Sequence, residues 1–152
     1  MEKIVVNRRV AIGGDGGFVL IAGPCVVEDL QGTRDIARYL KDLTEQLDIP
    51  FVFKASYDKA NRTSAKSFRG PGMKEGLRIL RGIREEFGIP VLSDVHRFEE
   101  INDASEVLDI MQVPAFLCRQ TDFIVEVARR AKVINIKKGQ FLAPWDISNV
   151  IE

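Results

Sequence analysis

Short β-rich runs alternate with amphipathic helical patterns along almost the whole sequence, and this alternation limits the fold more than any other feature. The β-rich runs lie at residues 18–22, 51–54, 91–95, 107–113 and 133–137. Parallel strands need long crossover connections, which are usually helices, whereas antiparallel strands can be joined by short turns. The alternation therefore predicts an α/β chain built on a parallel sheet.

The segments between these runs have helical spacing. Ile36, Leu40, Leu43 and Leu47 recur at intervals of four, three and four residues, which predicts a first helix. The remaining predicted helices cover residues 73–87, 98–104, 124–131 and 147–152. Gly88 is a plausible C-terminal stop for the second helix, because glycine readily adopts the left-handed cap conformation.

Glycine-rich punctuation near the N-terminus predicts a hairpin. Residues 5–12 and 18–22 are β-rich and flank the sequence GGDGG. Such a pattern indicates either a hairpin that turns at the glycines or a hairpin that runs into the first core strand.

Two architectures fit the alternation: a doubly wound open sheet and a (β/α)8 TIM barrel. The residues at the strand ends favour the barrel, in which catalytic groups follow several successive strands. An open sheet would concentrate them at one switch point. The strand-end residues are Cys25, Lys54, Asp94, His96, Gln112 and Lys137. We therefore predict a (β/α)8 barrel, of which this chain supplies an N-terminal hairpin and roughly the first five strands.

The length of the chain qualifies this prediction. A complete barrel usually needs about 250 residues, and the sequence has 152. No linker or low-complexity tract divides it, so we expect residues 1–152 to form a single domain, the N-terminal part of a longer barrel.

Bulk charge gives no indication of a nucleic-acid or membrane partner. Lys plus Arg is 22 and Asp plus Glu is also 22. The sequence has neither an apolar run of membrane-spanning length nor a signal-peptide pattern, so we expect a cytoplasmic location. Cys25 and Cys118 are then expected to be reduced thiols.

Positive charge is concentrated locally, in the segment KASYDKANRTSAKSFRG at residues 54–70. It contains five cations and one acid, Asp58, between Lys54 and Arg69. Arginine suits bidentate phosphate binding and lysine acts as a compact point charge, so the segment predicts a phosphate site. A solvated basic loop is the alternative.

Three further positions carry possible chemistry. Lys137 ends an apolar run, where it can enter a shared anion site or lie on the rim. Asp94 and His96 share a face of an extended chain and could transfer protons or bind a metal, although His96 could equally be a hydrogen-bonded structural residue. Arg119 is a candidate phosphate contact or an ordinary surface arginine.

Taken together, these segments resemble the 3-deoxy-D-manno-octulosonate 8-phosphate synthase family from about Val19 to the end. The matching motifs are IAGPC (21–25), FVFKASYDKANRTSAKSFRGPG (51–72), VLSDVH (91–96), QVPAFLCRQTD (112–122) and NIKKGQFLAPWD (135–146). The related 3-deoxy-D-arabino-heptulosonate 7-phosphate synthases share the barrel and the chemistry but not this motif set.

The resemblance implies a reaction. The family condenses phosphoenolpyruvate with D-arabinose 5-phosphate and water, giving the eight-carbon sugar acid phosphate and inorganic phosphate for lipopolysaccharide biosynthesis. Carbon 3 of phosphoenolpyruvate attacks the sugar aldehyde, water adds at carbon 2, and phosphate leaves by C–O cleavage. Two polyanions must be held together, which explains the many cations.

The resemblance also implies roles for individual residues. Phosphoenolpyruvate would be held by Lys54, Ser56, Lys59, Lys137 and Gln140, and arabinose 5-phosphate by Asp58, Asn61, Arg62 and Thr63. The pocket would be lined by Asp94, Gln112, Pro114, Ala115 and Phe116. The candidate catalytic residues are Lys59, Lys137, Asp94 and His96. Arg119 resembles an arginine that reaches a neighbouring subunit's sugar phosphate, which implies a homo-oligomer, commonly a tetramer.

Cys25 indicates the subclass. Metal-independent members have Asn at this position, whereas a Cys implies a divalent metal such as zinc, iron or manganese. The family's other ligands come from later strands, so we expect these 152 residues to bind metal poorly and to be inactive alone. Two alternatives stay open: a related synthase that uses erythrose 4-phosphate, and a truncated half-barrel that acts as a binding or assembly module.

Overall fold

The computed structural model describes residues 2–152, which form a small N-terminal hairpin and a five-stranded parallel sheet. In the hairpin, β1 (Ile4–Val5) pairs with β2 (Ala11–Ile12) in antiparallel orientation. The parallel strands are β3 (Leu20–Ala22), β4 (Phe51–Lys54), β5 (Val91–Asp94), β6 (Ile110–Val113) and β7 (Val133–Ile136).

Helices connect the parallel strands. The α-helices are α1 (Leu30–Gln46), α2 (Met73–Phe87), α3 (Ile101–Val107), α4 (Thr121–Arg130) and α5 (Ser148–Ile151). Short 3₁₀ turns precede α3 and α5 at Phe98–Glu100 and Pro144–Ile147, and a third follows β6 at Ala115–Leu117. The predicted stop of α2 is confirmed, because Gly88 caps the helix in the left-handed conformation.

The strand order decides between the two predicted architectures. The five strands lie side by side in sequence order, β3-β4-β5-β6-β7, and every neighbouring pair is parallel. A doubly wound sheet reverses its strand order at a switch point, and this sheet has no reversal. The sheet is a curled half-barrel, so the prediction of a partial TIM barrel with about five strands is confirmed.

The predicted N-terminal hairpin is confirmed, but the alternative in which it turns at GGDGG was wrong. β1 and β2 turn instead at residues 6–10, where the Asn7 side-chain carbonyl accepts hydrogen bonds from the Arg9 and Val10 amides. Asn favours this arrangement because its side chain readily bonds to nearby backbone. The glycines form the connection from β2 to β3.

Only Leu40 of the apolar stripe that predicts α1 packs against the core, where it is partly buried. Ile36, Leu43 and Leu47 are exposed, and Leu47 retains 59% of its accessible surface. The helix packs inward through Thr33, Ala37 and Thr44. Small residues let a helix approach a sheet closely, and the buried threonine hydroxyls are satisfied by backbone carbonyls one turn earlier.

Alternation along the strands separates two apolar layers. The face toward the helices supplies Phe53, Val91 and Met111 to the main core. The opposite, concave face begins with Val52, Leu92 and Ile110, which pack against Val6 and Val10 of the hairpin. The hairpin therefore covers the N-terminal end of the concave face, and the C-terminal end carries the polar residues described next.

Among residues 2–152, no helix combines the length and the apolar character needed to cross a membrane.

Candidate active site

Polar side chains replace apolar ones on the concave face at the C-terminal end of the sheet. Lys54, Asp94 and Gln112 each lie two residues beyond an apolar residue of the concave layer, so they point to the same side of the sheet. Asn135 follows Val133 in the same way. The register places Asp94 beside Gln112 and Gln112 beside Asn135, which brings three polar groups into one row.

A continuous chain of hydrogen bonds crosses this row. Asn135 Nδ2 donates to Gln112 Oε1 at 2.7 Å, and Gln112 Nε2 donates to Asp94 Oδ1 at 2.6 Å. The hydroxyl of Ser56 donates to Asp94 Oδ2 at 2.6 Å. Four adjacent strands or strand ends are thus joined by side chains alone.

Two lysines extend the chain toward the cavity. Lys59 Nζ donates to Ser56 Oγ at 3.0 Å, and Lys54 Nζ donates to the same oxygen at 3.4 Å. Burial lowers the pKa of Lys54, and the nearby charges of Lys59 and Lys137 lower it further. Three ammonium groups therefore share one region, which is the arrangement expected of a site that binds anions.

Asp94 is the counter-charge beneath these lysines. Its burial, at 8% exposed, would raise its pKa, but the hydrogen bonds from Ser56 and Gln112 and the charge of Lys54 lower the pKa overall. The carboxyl group is therefore ionised at neutral pH and serves as an acceptor. A buried carboxylate with two donors suits the positioning of neighbours better than proton donation.

A cavity of about 460 Å³ opens above this network. Ten of the predicted site residues line it: Asp58, Lys59, Asn61, Asp94, His96, Pro114, Ala115, Phe116, Lys137 and Gln140. Ala60 and Leu117, which the sequence did not single out, complete the lining. Three further predicted residues lie below the cavity: Gln112 and Ser56 donate to Asp94, and Ser56 accepts from Lys59 and Lys54.

Residues 58–61 of the basic segment line one side of the cavity, and Arg62, Thr63 and Arg69 lie in the same segment without lining it. Arg69 Nε donates to Asp58 Oδ1 at 2.8 Å and its Nη2 donates to the second oxygen, a bidentate pair that lowers the pKa of Asp58. The guanidinium of Arg62 folds back onto the carbonyls of Lys59 and Ala65. Within the described chain, Arg62 Nε is buried without a hydrogen-bond partner. Thr63 is exposed on the same loop.

His96 rests on a buried carboxylate. Glu100 Oε2 accepts hydrogen bonds of 2.9 Å from the His96 backbone amide and from the Tyr57 hydroxyl. Burial raises the pKa of Glu100, but these bonds and the nearby imidazole outweigh it and bring the pKa to about 2. His96 Nδ1 lies 3.7 Å from Glu100 Oε2, within ion-pair distance but too far for a hydrogen bond.

The segment after β7 is tied to the segment after β6. Lys137 N donates to Val113 O at 3.0 Å, and the amide of Gly139 donates to the buried Cys118 sulfur at 3.2 Å. Lys138 Nζ donates to the carbonyls of Gly139 and Leu142, so it turns away from the cavity. Cys118 is therefore a packing residue that holds the Lys137–Gln140 segment.

Arg119 and Cys25, like Arg62 and Thr63, do not line the cavity. Arg119 is exposed and borders two other depressions near α4. Cys25 is exposed after β3, close enough to Lys54 to affect its charge. Among residues 2–152, no three His, Cys, Asp or Glu side chains are close enough to hold a metal ion, so the donors around Cys25 do not make a metal site by themselves.

The sequence does not predict four residues on which the site depends. Asn135 lies inside an apolar strand, and Arg69 is only one of five cations in its segment. No local pattern gives Tyr57 or Glu100 a role. Alternation could have identified Asn135, because it shares the parity of Lys137. Nothing local could have paired Tyr57 with Glu100, which is 43 positions away.

Several known proteins are closely similar to this chain in sequence. The 2-dehydro-3-deoxyphosphooctonate aldolase of Geotalea uraniireducens (strain Rf4) is 59% identical over 150 residues, covering 99% of this chain and 55% of the relative. The proteins of the same name from Desulfosudis oleivorans and Geobacter sulfurreducens are 59% and 60% identical, with 100% and 99% of this chain covered and 54% and 56% of those relatives.

The chain thus spans about half the length of the curated relatives it matches. The sequence profile of the DAHP synthetase I family matches residues 2–152, which is nearly every residue of the chain. The chain belongs to the DAHP synthetase I family.

Proposed function

We propose that the protein condenses phosphoenolpyruvate with D-arabinose 5-phosphate and water to give 3-deoxy-D-manno-octulosonate 8-phosphate and inorganic phosphate. The observation that carries this proposal is the convergence of Lys54, Lys59 and Lys137 around a cavity. The relatives are named 2-dehydro-3-deoxyphosphooctonate aldolase, a name that refers to the same eight-carbon sugar acid. The motif resemblance adds the two substrates.

Phosphoenolpyruvate would lie on the lysine side of the cavity. Its phosphate and carboxylate would contact Lys54, Lys59 and Lys137, with Gln140 as a further polar partner. Ser56 would support the site through Lys54 and Lys59, because its only hydroxyl proton is donated to Asp94. Removal from water strengthens such contacts, because charges attract more strongly where the effective dielectric constant is low. Carbon 3 would then attack the sugar aldehyde, and Lys59 would give a proton to the resulting alkoxide oxygen.

Arabinose 5-phosphate would lie toward the basic segment. Asp58 and Asn61 line the cavity there and could bind sugar hydroxyls. Arg62 would turn its guanidinium from the loop carbonyls to the sugar phosphate, which would also give its buried Nε an acceptor. Thr63, exposed on the same loop, would supply a further hydroxyl to the sugar phosphate.

The metal and the oligomer are parts of the same proposal. Cys25 would supply one thiolate ligand to a divalent ion, with the other donors coming from outside the described residues. A bound ion would polarise water or the sugar carbonyl. Arg119 would extend from its exposed position to a neighbouring subunit, so the active assembly would be a homo-oligomer, expected to be a tetramer.

The direct test is turnover by the intact gene product. We expect phosphate release from phosphoenolpyruvate with arabinose 5-phosphate and a divalent metal, and much slower release with erythrose 4-phosphate. Faster turnover with erythrose 4-phosphate would contradict this proposal and indicate a 3-deoxy-D-arabino-heptulosonate 7-phosphate synthase instead. Binding of both substrates without turnover in any assembly would favour a binding module.

A matched pair of variants tests the role of Lys59. Lys59→Met should lower the turnover number by about 10²–10⁴-fold, the usual contribution of a positioned proton donor. Lys66→Met removes a cation of the same segment that is exposed and outside the cavity, and it should leave turnover unchanged within about twofold. Equal losses of turnover in both variants would show that the segment contributes only general electrostatic attraction and that Lys59 has no specific role.

A further inference from the structure

Asn135 is a polar residue inside an otherwise apolar strand. Its neighbours in β7 are Val133, Ile134 and Ile136, and its side chain is half-buried on the concave face. A polar side chain in such a place costs free energy unless it is hydrogen-bonded. The bond from Asn135 Nδ2 to Gln112 Oε1, at 2.7 Å, is the contact that satisfies it.

Asp94 sets which way the Gln112 amide faces, and Asn135 holds it there. A side-chain amide has an oxygen that only accepts and a nitrogen that only donates, and a carboxylate only accepts. Gln112 Nε2 therefore faces Asp94 and donates to it at 2.6 Å. Gln112 Oε1 then faces β7, where Asn135 Nδ2 donates to it at 2.7 Å.

The direction of bonding continues to the lysines. The Ser56 hydroxyl has one proton, and it is donated to Asp94 Oδ2 at 2.6 Å. The Ser56 oxygen is then left to accept, and it accepts from Lys59 at 3.0 Å and from Lys54 at 3.4 Å. Every bond in this chain has only one workable direction, because the Asp94 carboxylate at its centre can only accept and the lysines can only donate.

We propose that Asn135 is a positioning residue for the anion site: it holds the Gln112 side chain against Asp94 and, through Asp94 and Ser56, sets the positions of the Lys54 and Lys59 ammonium groups. The assignment of phosphoenolpyruvate to that site rests on the proposed function. The hydrogen-bond chain itself does not depend on which phosphorylated anion binds. Asn135 would touch no reacting atom.

The test replaces the donor without changing the shape. Asn135→Asp keeps the side-chain outline but puts an acceptor where Nδ2 was, and Asn135→Leu removes the donor without adding charge. Both should raise the dissociation constant for phosphoenolpyruvate about tenfold, the loss expected from one buried hydrogen bond. The KM for the sugar should change less than twofold, since the hydrogen-bond chain ends at Lys54 and Lys59 on the phosphoenolpyruvate side of the cavity.

Two features separate positioning from a simple loss of structure. In Asn135→Asp, affinity for phosphoenolpyruvate should recover as the pH falls and the introduced carboxyl becomes a donor, whereas Asn135→Leu should show no recovery. In a Gln112→Leu background, Asn135→Leu should not weaken phosphoenolpyruvate binding further, because no amide remains at position 112 for Asn135 to hold. Additive losses, or recovery in neither variant, would overturn the proposal.

Asn102→Asp is the matched control, because Asn102 is an exposed asparagine of α3. It should leave phosphoenolpyruvate affinity unchanged. Turnover by the unaltered protein reports separately on the proposed function. If the intact gene product binds phosphoenolpyruvate without turnover in any assembly, the condensation is wrong, and calorimetric titration of phosphoenolpyruvate still decides the role of Asn135. If phosphoenolpyruvate and inorganic phosphate both fail to bind, the anion site itself is overturned.

Discussion

At the scale of single residues, Glu100 shows how a buried charge can be retained at neutral pH. Its carboxylate is 6% exposed, yet it accepts from Tyr57 and from the His96 backbone. Its pKa of about 2 lies below the usual value of 4.5, so the folded chain prefers the ionised form more strongly than the unfolded chain does.

Glu100→Gln should therefore lower the free energy of unfolding at neutral pH, by about 3 kcal/mol if the full pKa difference is lost. The difference between the variant and the original should be greatest above about pH 4.5 and shrink as the pH falls toward 2. Urea unfolding at several pH values measures it. Glu99→Gln, at an exposed neighbour, should have little effect at any pH; a loss of similar size there would contradict this account.

Lys54 gives a prediction for alkaline pH. Its lowered pKa means that it loses its charge earlier than an ordinary lysine as the pH rises, so affinity for phosphoenolpyruvate should start to fall below the usual lysine value of 10.5. Asp94→Asn removes the negative charge that supports the Lys54 ammonium, so this decline should move to lower pH. Calorimetric titration across pH measures both, and Asp122→Asn, at an exposed position, should leave the curve unchanged.

At the scale of elements, the site depends on how closely the strand ends approach one another. After β3, Gly23 has a backbone angle φ of +155°, and a Cβ built on it would lie 2.1 Å from the Lys54 carbonyl oxygen. No other residue type fits without moving β3 away from β4. Cys25 and Lys54 are brought to the same rim by this close contact.

Gly23→Ala should therefore destabilise the fold by about 1–3 kcal/mol, the usual range for overpacking, and should weaken phosphoenolpyruvate binding as well. Gly82→Ala is the matched control. Gly82 lies in the middle of α2 and a Cβ there meets no atom within 4 Å, so this change should stabilise the protein by about 0.5–1 kcal/mol through helix propensity. Thermal unfolding of the two variants should shift in opposite directions, and a shift in the same direction would refute the argument.

At the scale of the whole molecule, the half-barrel has two unpaired edges. Within residues 2–152, β3 pairs only with β4 and β7 only with β6, and α1 exposes Ile36, Leu43 and Leu47. Open strand edges beside apolar surface favour association with other chains.

A polypeptide of these 152 residues should therefore associate in a concentration-dependent way. Sedimentation velocity measures the distribution of species. Ile21→Lys places a charge on the exposed side of β3 and should shift the distribution toward the monomer. Asp15→Lys, in the glycine-rich connection, adds a charge without touching an edge and should change the distribution little. A monomer at all concentrations would contradict the prediction.

The sequence predicted the order of strands and most of the cavity because both depend on short-range patterns. Apolar runs identify strands, and the residue after a run lies at the end of the sheet, which is why Lys54, Asp94 and Gln112 were found. The packing face of α1 was not predictable, since its buried face consists of threonines and an alanine. The hydrogen-bond partners of Asp94 and Glu100 were not predictable from local sequence either, because they come from distant segments of the chain.

The N-terminal hairpin limits the routes by which a ligand can reach the site. Val6 and Val10 cover the concave face at its N-terminal end, whereas the polar end of the sheet and the side between β3 and β7 stay open within residues 2–152. Ligands should therefore enter and leave away from the hairpin. Changes in the hairpin should alter the stability of the fold without changing how fast a ligand enters or leaves.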